Sequence, residues 1–394
     1  MKKATQQQTK EHNRNLVLKT IVDSDSVSRA EIARITSLTR TTVSDIVADL
    51  ITEGLVSEVG VGESQGGKNP ILLSLVEDSR YLIGVDLAHS NFLGAVVNLR
   101  GKIRSLISQP VKDYNGDVAL STLYEILDRL VGSSFQPVVG IGAGTPGLVN
   151  TNEGVVANAA NLDWQDLPLA HMLEERYHLP CYVLNDSQAA AMGEFNYGEG
   201  RFSDNNMVVI NARHGIGSGI IIDHRLFQGD GGGAGEIGHI VVVPEGGQLC
   251  RCGNYGCLET VASTQALIHQ VRGLAWVGEE SLAGAEIDLD SIQKAFHAGD
   301  PQVRDLVLAT ARHMGLAIAG LVGTLNIHKI ALLGDMTCFG EAWLDVVRRT
   351  VSTNTLSRLA RETRVEFGQL GENSILLGAS AMLANNYSLL ISSR

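Results

Sequence analysis

Three cysteines and one histidine lie close together in the sequence between Gly235 and Glu259. His239, Cys250, Cys252 and Cys257 form a Cys3His set, and a structural zinc ion (Zn2+) takes four such ligands in a closed tetrahedron. Gly253 and Gly256 would let the chain turn tightly between the ligands. Glu236 and Glu259 flank the set, so a metal that fixes this loop would also fix two carboxylates able to bind sugar hydroxyls.

The cysteines also admit an interpretation without a metal. Free cysteine packs as a small hydrophobic residue, so a reduced, buried cysteine cluster is the alternative to a zinc site. A disulfide is disfavoured because no signal peptide opens the chain and the remaining cysteines, Cys181 and Cys338, are isolated in sequence. We therefore expect a protein of the reducing cytoplasm.

The distribution of charge separates the first 76 residues, called the head below, from the rest of the chain. The chain has 394 residues, for which two or three domains are expected, and its formal net charge is -12. The head carries nine basic and nine acidic side chains, so the whole net negative charge belongs to the remainder. An acidic body repels nucleic acid, which places any DNA contact in the head. No run of about eighteen apolar residues occurs, and a membrane span is not expected.

The head has the pattern of three short helices and a hairpin. Ser28 and Glu31 form a capping box at the second helix, and the third helix covers about residues 39–53. Two β patterns follow at 55–61 and 71–75, so the sequence predicts a winged helix-turn-helix domain. The candidate DNA-binding residues are small hydrogen-bond donors and one arginine on the third helix, with a lysine in the wing: Thr39, Arg40, Thr41, Thr42, Ser44 and Lys68. A small helical bundle used for dimerisation or docking is the alternative.

Beyond residue 76 the pattern changes to longer β segments. They are strands at 81–86, 92–98 and 102–111, an amphipathic helix at about 118–131 and a strand at 138–142, a β-β-β-α-β order. A similar order recurs with strands at 208–211 and 219–223, a long apolar helix at 306–325 and a strand at 329–333. This repetition predicts an α/β body of two lobes that close on a ligand-binding cleft.

The chain resembles the ROK family of bacterial repressors, open reading frames and sugar kinases over almost its full length. The zinc motif within Gly235–Glu259 is the most specific point of resemblance. The resemblance implies an N-terminal winged helix-turn-helix fused to a two-lobed, actin/hexokinase-type body, a ribonuclease H-like duplication with a structural zinc site, as in the branch of xylose and N-acetylglucosamine repressors. The expected domains are the head at 1–76, the first lobe at 77–195 and the second lobe at 196–394, with the return of a C-terminal helix to the first lobe as an option.

The resemblance also implies a sugar site. The positions of this sequence that match the family's sugar contacts are Gly144, Asn161, Asn185, Asp186, Glu236, His239 and Glu259. In the family's kinases the aspartate that matches Asp186 is the general base, which takes the proton of the attacking hydroxyl. An Asn or Asp before residues 187–191 is also a common helix cap, so a structural role for this pair stays open.

The nucleotide half of the body departs from the kinase pattern. The family's kinases have Asp-x-Gly-Gly-Thr where this chain has Asp86-Leu87-Ala88-His89-Ser90, and Gly-Thr-Gly-Ile-Gly where it has Arg213-His214-Gly215-Ile216-Gly217. The adenosine-side Gly-Gly-Gly is replaced by Leu333-Gly334-Asp335. Glycines let backbone N–H groups approach phosphates, so these losses predict a sugar-binding protein that is not an enzyme. Arg213 is a candidate for attracting the phosphate of a phosphorylated sugar.

The sequence therefore predicts a cytoplasmic, sugar-responsive transcriptional regulator, with a repressor as the first choice. Its expected partners are operator DNA and a sugar or sugar phosphate effector, and it is expected to form a homodimer or homotetramer. A sugar kinase that uses ATP and magnesium, with Asp186 as the base, is the alternative enzyme. A body that serves as a scaffold for a protein partner is the third interpretation.

Overall fold

Helices and strands both occur along the chain in the structure, a computed structural model that describes residues 5–63, 69–88, 91–111, 116–198, 204–274 and 287–392. The predicted wing residue Lys68 and the pair His89-Ser90 lie outside these ranges. The helices are α1 (Gln6–Val22), α2 (Arg29–Thr36), α3 (Arg40–Thr52), α4 (Gly116–Val131), α5 (Leu169–Tyr177), α6 (Asp186–Tyr197), α7 (Glu259–Ala262), α8 (Thr264–Leu274), α9 (Leu289–Ala298), α10 (Pro301–Leu325), α11 (Gly340–Asn354), α12 (Ser357–Glu362), α13 (Ser374–Ala384) and α14 (Tyr387–Ser392).

The strands are β1 (Val27–Ser28), β2 (Val56–Val61), β3 (Ile71–Leu75), β4 (Tyr81–Asp86), β5 (Asn91–Asn98), β6 (Ile103–Pro110), β7 (Val138–Thr145), β8 (Leu148–Asn150), β9 (Val155–Ala159), β10 (Trp164–Leu167), β11 (Cys181–Asn185), β12 (Met207–Ala212), β13 (Ile216–Ile222), β14 (Arg225–Phe227), β15 (Lys329–Leu333) and β16 (Arg364–Phe367).

Local sequence signals set where the helices of the head begin. Ser28 Oγ accepts the backbone N–H of Glu31 at 3.3 Å, and Glu31 Oε2 accepts the backbone N–H of Ser28 at 3.0 Å. The capping box predicted for α2 is thus confirmed. Thr39 caps α3 by accepting the backbone N–H of Thr42 at 3.2 Å.

A hairpin follows these three helices. β2 and β3 pair antiparallel, from Val56 opposite Leu75 to Val61 opposite Ile71, and β1 pairs with the other side of β3. The helices bury a common set of apolar side chains with no exposed surface: Val17, Leu18, Ile21, Ile32, Val43, Val47 and Leu50. The predicted pattern of three helices and a hairpin is confirmed.

The chain forms two compact units. The first unit contains the described residues up to Gly147, Thr151–Leu184 and the described residues from Ala379 onward, and the second contains Leu148–Asn150 and the described part of Asn185–Gly378. The three N-terminal helices and their hairpin belong to the first unit. The division between the units falls inside α13, so the C-terminal residues return to the unit that holds the head.

The first unit is built on a five-stranded sheet in the order β11-β7-β4-β5-β6. β4, β5 and β6 form an antiparallel meander, and β7 runs parallel to β4. α4 packs on β5 at Gly94, where any side chain would collide with Ile126. Leu82 of β4 and Leu99, in the turn after β5, share one hydrophobic core with Leu18 of α1, so the N-terminal helices are an integral part of the unit.

The second unit repeats this arrangement. Its sheet has the order β14-β13-β12-β15-β16, in which β12, β13 and β14 are antiparallel neighbours and β15 and β16 continue parallel to β12. Each sheet is thus an antiparallel three-stranded meander extended by two strands on the side of its first strand. The predicted repetition of one strand order in an α/β body is confirmed.

The longest of the described helices, α10, lies in the core of the second unit. It packs against α11, where Trp343 Nε1 donates a hydrogen bond of 3.0 Å to Thr310 Oγ1 and both side chains are fully buried. α10 is long and apolar enough to cross a membrane, and half of its most apolar stretch is buried inside the protein. The packing of this unit therefore accounts for its apolar sequence.

Candidate metal and ligand site

Four predicted metal ligands meet in one loop of the second unit. One donor atom from each of His239, Cys250, Cys252 and Cys257 lies within 4.8 Å of the others. His239 ends a short 3-10 turn, and antiparallel bridges join Val241 to Cys257 and Leu249 to Tyr255. These bridges bring the two ends of the loop together and place the histidine beside the cysteines.

Two glycines shape the loop between these ligands. Gly253 has a φ of +92° and Gly256 a φ of +72°, in the left-handed region that glycine adopts without strain. A side chain on Gly256 would also collide with the carbonyl oxygen of Val243. The tight turns predicted between the ligands are confirmed.

The spacing of the four donors suits a tetrahedral metal ion. Cys252 Sγ is 3.6 Å from Cys257 Sγ, and Cys250 Sγ is 3.5 Å from His239 Nδ1. In a tetrahedron with zinc–sulfur bonds of about 2.3 Å, neighbouring sulfur atoms are about 3.8 Å apart. Burial raises the pKa of the Cys257 thiol to about 12 and also raises the pKa of Cys250, so a bound cation has to displace their protons. The donor set therefore fits a metal ion that binds thiolates.

Three carboxylates of the predicted sugar site lie near this cluster. Glu236 Oε2 is 3.9 Å from His239 Nε2. Burial raises the pKa of the Glu236 carboxyl, and the negative charges of Asp186 and Glu259 add to this rise. The structure therefore brings Asp186, Glu236, His239 and Glu259, called the acidic cluster below, into one group within the second unit.

Glu259 is held by contacts from two loops. Its Oε2 accepts the backbone N–H of Ile216 at 3.0 Å, and its Oε1 is 3.1 Å from Arg251 Nε. Ile216 belongs to the second altered loop, and Arg251 lies between the metal ligands Cys250 and Cys252. Sequence reasoning missed Arg251, although its place between two metal ligands was a signal. Glu259 thus connects the metal loop to the altered loop.

Asn185 and Asp186 stand at the start of α6. Asn185 Oδ1 accepts the backbone N–H groups of Ser187 at 2.9 Å and Gln188 at 3.2 Å, so Asn185 is the cap of this helix. Asp186 follows in the first turn, where the helix dipole favours a negative charge. The structural role that the sequence left open is therefore observed for Asn185, while Asp186 also belongs to the acidic cluster.

The other two predicted sugar contacts belong to the first unit. Gly144 is buried in β7, and its carbonyl oxygen accepts the backbone N–H of Leu87 at 2.8 Å. Asn161 is exposed in the short 3-10 turn Ala160–Leu162. That these two residues share a site with the acidic cluster stays a prediction.

Polar side chains of the altered loops form hydrogen bonds within their own segments. Asp86 is fully buried, and its Oδ1 accepts the backbone N–H of Ala88 at 2.8 Å. Arg213 Nε donates to Asn211 Oδ1 at 3.0 Å, and Gly334 of the third altered loop lies against the side chain of Arg213. Arg213, the candidate for a phosphate contact, therefore stands where two of the altered loops meet.

The candidate DNA-binding residues occupy the first turns of α3. Thr39, Arg40, Thr41 and Ser44 are exposed, and Thr42 is half-buried. Thr39 caps the helix, and its Oγ1 is 2.9 Å from Thr42 Oγ1, so both of these side chains already serve the helix itself. Arg40, Thr41 and Ser44 are therefore the side chains best placed to contact a partner.

Comparison with known proteins relates this site to a family. The ROK family model matches residues 82–386. The xylose repressor of Caldicellulosiruptor bescii is 33% identical over 393 residues, which cover 96% of this chain and 96% of that protein. The resemblance predicted from the zinc motif is confirmed.

Solved structures extend the similarity to the fold. A ROK family transcriptional regulator, described as a homologue of the E. coli MLC protein, has a TM-score of 0.85 at 28% identity and covers 97% of this chain and 98% of its own. A ROK family glucokinase from Streptomyces griseus, solved with glucose and AMPPNP, has a TM-score of 0.66 at 30% identity and covers 77% of this chain and 98% of its own. The regulators match nearly the whole chain, whereas this kinase matches about three quarters of it.

Proposed function

We propose, from the premise that this chain belongs to the ROK family, that it is a sugar-responsive transcriptional regulator that acts as a repressor in the cytoplasm. The extent of the similarity carries this proposal. Proteins named as regulators match the chain almost from end to end, including the helices and hairpin that precede the family match at residue 82. This extent favours a regulator over a kinase.

In this proposal the residues up to 76 form a winged helix-turn-helix domain that binds operator DNA. α2 and α3 would be the helix-turn-helix, with β2 and β3 as the wing that carries Lys68. Arg40, Thr41 and Ser44 would contact phosphates and base edges, because they are exposed on one helix end. Two heads are needed for paired half-sites, so the protein would act as a homodimer or homotetramer. The residues from 77 onward would be the sugar-binding body. The sequence predicts its lobes at 77–195 and 196–394, whereas the compact units of the structure divide between Leu184 and Asn185 and again inside α13.

The effector in this proposal is a sugar or sugar phosphate bound by the acidic cluster. Ionised carboxylates accept hydrogen bonds only, which suits the hydroxyl groups of a sugar. The full predicted set of contacts is Gly144, Asn161, Asn185, Asp186, Glu236, His239 and Glu259. Since the Caldicellulosiruptor protein is named a xylose repressor, xylose is the first sugar to test.

The metal that we propose for the Cys3His group is zinc. A closed tetrahedral set of thiolates and imidazole is typical of structural zinc and leaves no open position for catalysis. Zinc held by His239, Cys250, Cys252 and Cys257 would cross-link the loop. The loop would then hold Glu236 and Glu259 in fixed positions for the effector.

A role in binding without catalysis is supported by the altered loops. A kinase cradles nucleotide phosphates with backbone N–H groups that glycines leave accessible, yet here Arg213 stands where the kinase pattern has a glycine. Asp186 nevertheless keeps the position that a general base would need. A sugar kinase is therefore the alternative that an experiment has to separate.

The deciding experiment measures binding to labelled DNA from the region upstream of the gene by fluorescence anisotropy at fixed salt, because phosphate contacts depend on salt. Free and phosphorylated xylose, glucose and N-acetylglucosamine are then titrated into the complex. Specific binding that one sugar weakens supports a repressor. Failure to bind DNA at low salt, together with sugar-dependent release of ADP from ATP, would replace the regulator by the kinase.

A pair of variants tests whether the acidic cluster is the effector site. Glu236→Gln keeps the shape of the side chain and removes its charge, so it should bind DNA and lose the response to sugar. Glu245→Gln removes an exposed carboxylate from the same loop and should behave like the wild type. An unchanged sugar response in Glu236→Gln would contradict this assignment.

A further inference from the structure

Arg251 of the metal loop (residues 239–257) and Glu259, the first residue of α7, form a two-point ion pair. Arg251 Nε is 3.1 Å from Glu259 Oε1, and its second guanidinium nitrogen, Nη2, is 3.4 Å from Glu259 Oε2. The two partners differ in exposure, since the side chain of Arg251 is 58% exposed and that of Glu259 is 11% exposed. The guanidinium therefore covers a carboxylate that is otherwise enclosed by the protein.

The altered loop leaves room for this pair. A side chain on Gly215 would place its Cβ 2.6 Å from Glu259 Oε2 and 3.1 Å from Arg251 Nη2. Glu259 Oε2 also accepts the backbone N–H of Ile216, the next residue in that loop. Contacts from two segments, residues 215–216 and Arg251, thus fix the orientation of one carboxylate.

At its exposed arginine end this ion pair is screened by water and costs side-chain entropy, which limits what it adds to folding stability. Its planar guanidinium nevertheless matches both oxygens of a carboxylate, which an ammonium group cannot do. The pair is therefore better suited to orienting Glu259 than to stabilising the fold.

We propose that Arg251 is a positioning residue for the effector: its guanidinium holds the Glu259 carboxylate in the orientation in which it binds the sugar. This inference rests on the proposed function, since it requires the acidic cluster to be the sugar site. Arg251 itself lies between Cys250 and Cys252. A metal that orders this loop would therefore also orient the Glu259 carboxylate, through the Arg251–Glu259 pair.

The test uses the full-length protein with its metal and measures sugar dissociation constants by calorimetry for xylose, glucose and N-acetylglucosamine. Arg251→Gln removes both the charge and the planar guanidinium that contacts two carboxylate oxygens. Arg251→Lys keeps the charge and removes only the planar two-point contact. Both variants should weaken binding of the recognised sugar by about tenfold, with metal content and melting temperature as in the wild type. A purely structural role would instead lower the melting temperature.

A matched control comes from the first unit. Arg176 also forms a two-point pair, with Asp128, at 2.8 Å from Nη2 and 3.4 Å from Nε, and its side chain is 47% exposed. Arg176→Gln should leave sugar binding unchanged. In a double-mutant cycle, Arg251→Lys should have no further effect once Glu259→Gln is present, because it acts through Glu259.

The outcomes that overturn this proposal differ from those that overturn the proposed function. Wild-type affinity in Arg251→Lys, or additive losses in the double variant, would show that Arg251 does not position Glu259. A wild-type protein that binds none of the three sugars, free or phosphorylated, would remove the proposed function and this inference with it.

Discussion

The guanidinium of Arg100 donates a hydrogen bond of 2.7 Å to the carbonyl oxygen of Val22, the last residue of α1. A second bond of 3.0 Å runs from Arg100 to the carbonyl oxygen of Ser24. Carbonyl groups at the end of a helix lack partners within the helix, and the helix dipole makes them attractive to a cation. Arg100, in the turn between β5 and β6, thus ties the head to the sheet of the first unit.

We expect Arg100→Gln to loosen the head without affecting the sugar site. Hydrogen bonds to a charged group contribute about 1.5–3 kcal/mol, so the free energy of unfolding should fall by about 2 kcal/mol in urea titrations. Sugar affinity should stay at the wild-type value, while the effect of sugar on DNA binding should become smaller. Arg129→Gln, which removes an exposed arginine from α4, is the control. A full sugar response in Arg100→Gln would show that this contact does not couple the head to the body.

A second prediction concerns α3. Arg40 is exposed in its first turn. If Arg40 contacts a base, Arg40→Ala should weaken operator binding by about 1–3 kcal/mol. If it contacts a phosphate, the variant should instead lower the slope of log affinity against log salt concentration by about one. Thr52→Ala, on an exposed residue at the other end of the same helix, should bind like the wild type. Anisotropy titrations at several salt concentrations distinguish these results. Equal affinities and slopes for Arg40→Ala and Thr52→Ala would remove Arg40 from the interface.

Features with a local signature could be predicted from the sequence. The metal ligands lie within 19 consecutive residues, and the strand order repeats with clear apolar periodicity, so both could be recognised without a structure. The capping box at Ser28 depends only on a residue three positions away.

Contacts between distant segments could not be predicted in this way. Arg100 meets Val22 across 78 residues, and no local pattern specifies this contact. The return of the C-terminal residues to the first unit also has no local signature, and only the family resemblance offers it as an option. Asn185 illustrates a different limit, because the same residue type in the same place suits a helix cap and a sugar contact.

The metal loop yields a third prediction. Cys252→Ser replaces a thiolate by a poor zinc ligand, so the purified variant should contain less metal, melt at a lower temperature and lose its response to sugar together. Metal content by mass spectrometry and thermal unfolding provide the measurement. Cys338→Ser, at a half-buried cysteine outside the cluster, should keep its metal. Normal sugar response in a metal-free protein would separate the metal from effector binding.

The last prediction concerns Glu194, a buried carboxylate of α6. Its two oxygens accept the backbone N–H of Gln369 at 2.9 and 3.0 Å, and Oε1 also accepts that of Leu370 at 2.8 Å. Burial raises the pKa of Glu194 above its usual value, although these hydrogen bonds and the charge of Lys329 oppose the rise. The folded protein therefore holds this proton more tightly than the unfolded chain does.

The sign of the pH dependence follows from this difference. The stabilising effect of the proton is fully present below the pKa of the unfolded chain, about 4.3, and is lost as the pH rises through the raised folded value. Glu194→Gln cannot titrate, yet its amide oxygen can still accept both backbone N–H groups. The free energy of unfolding of the variant minus that of the wild type should therefore increase as the pH rises, by about 1.4 kcal/mol for each unit of pKa shift.

Urea titrations between about pH 4.5 and 8 measure this difference, and Glu372→Gln, an exposed carboxylate in the turn that follows Leu370, is the control. A difference that stays flat or decreases with pH would show that the folded protein does not hold the Glu194 proton more tightly.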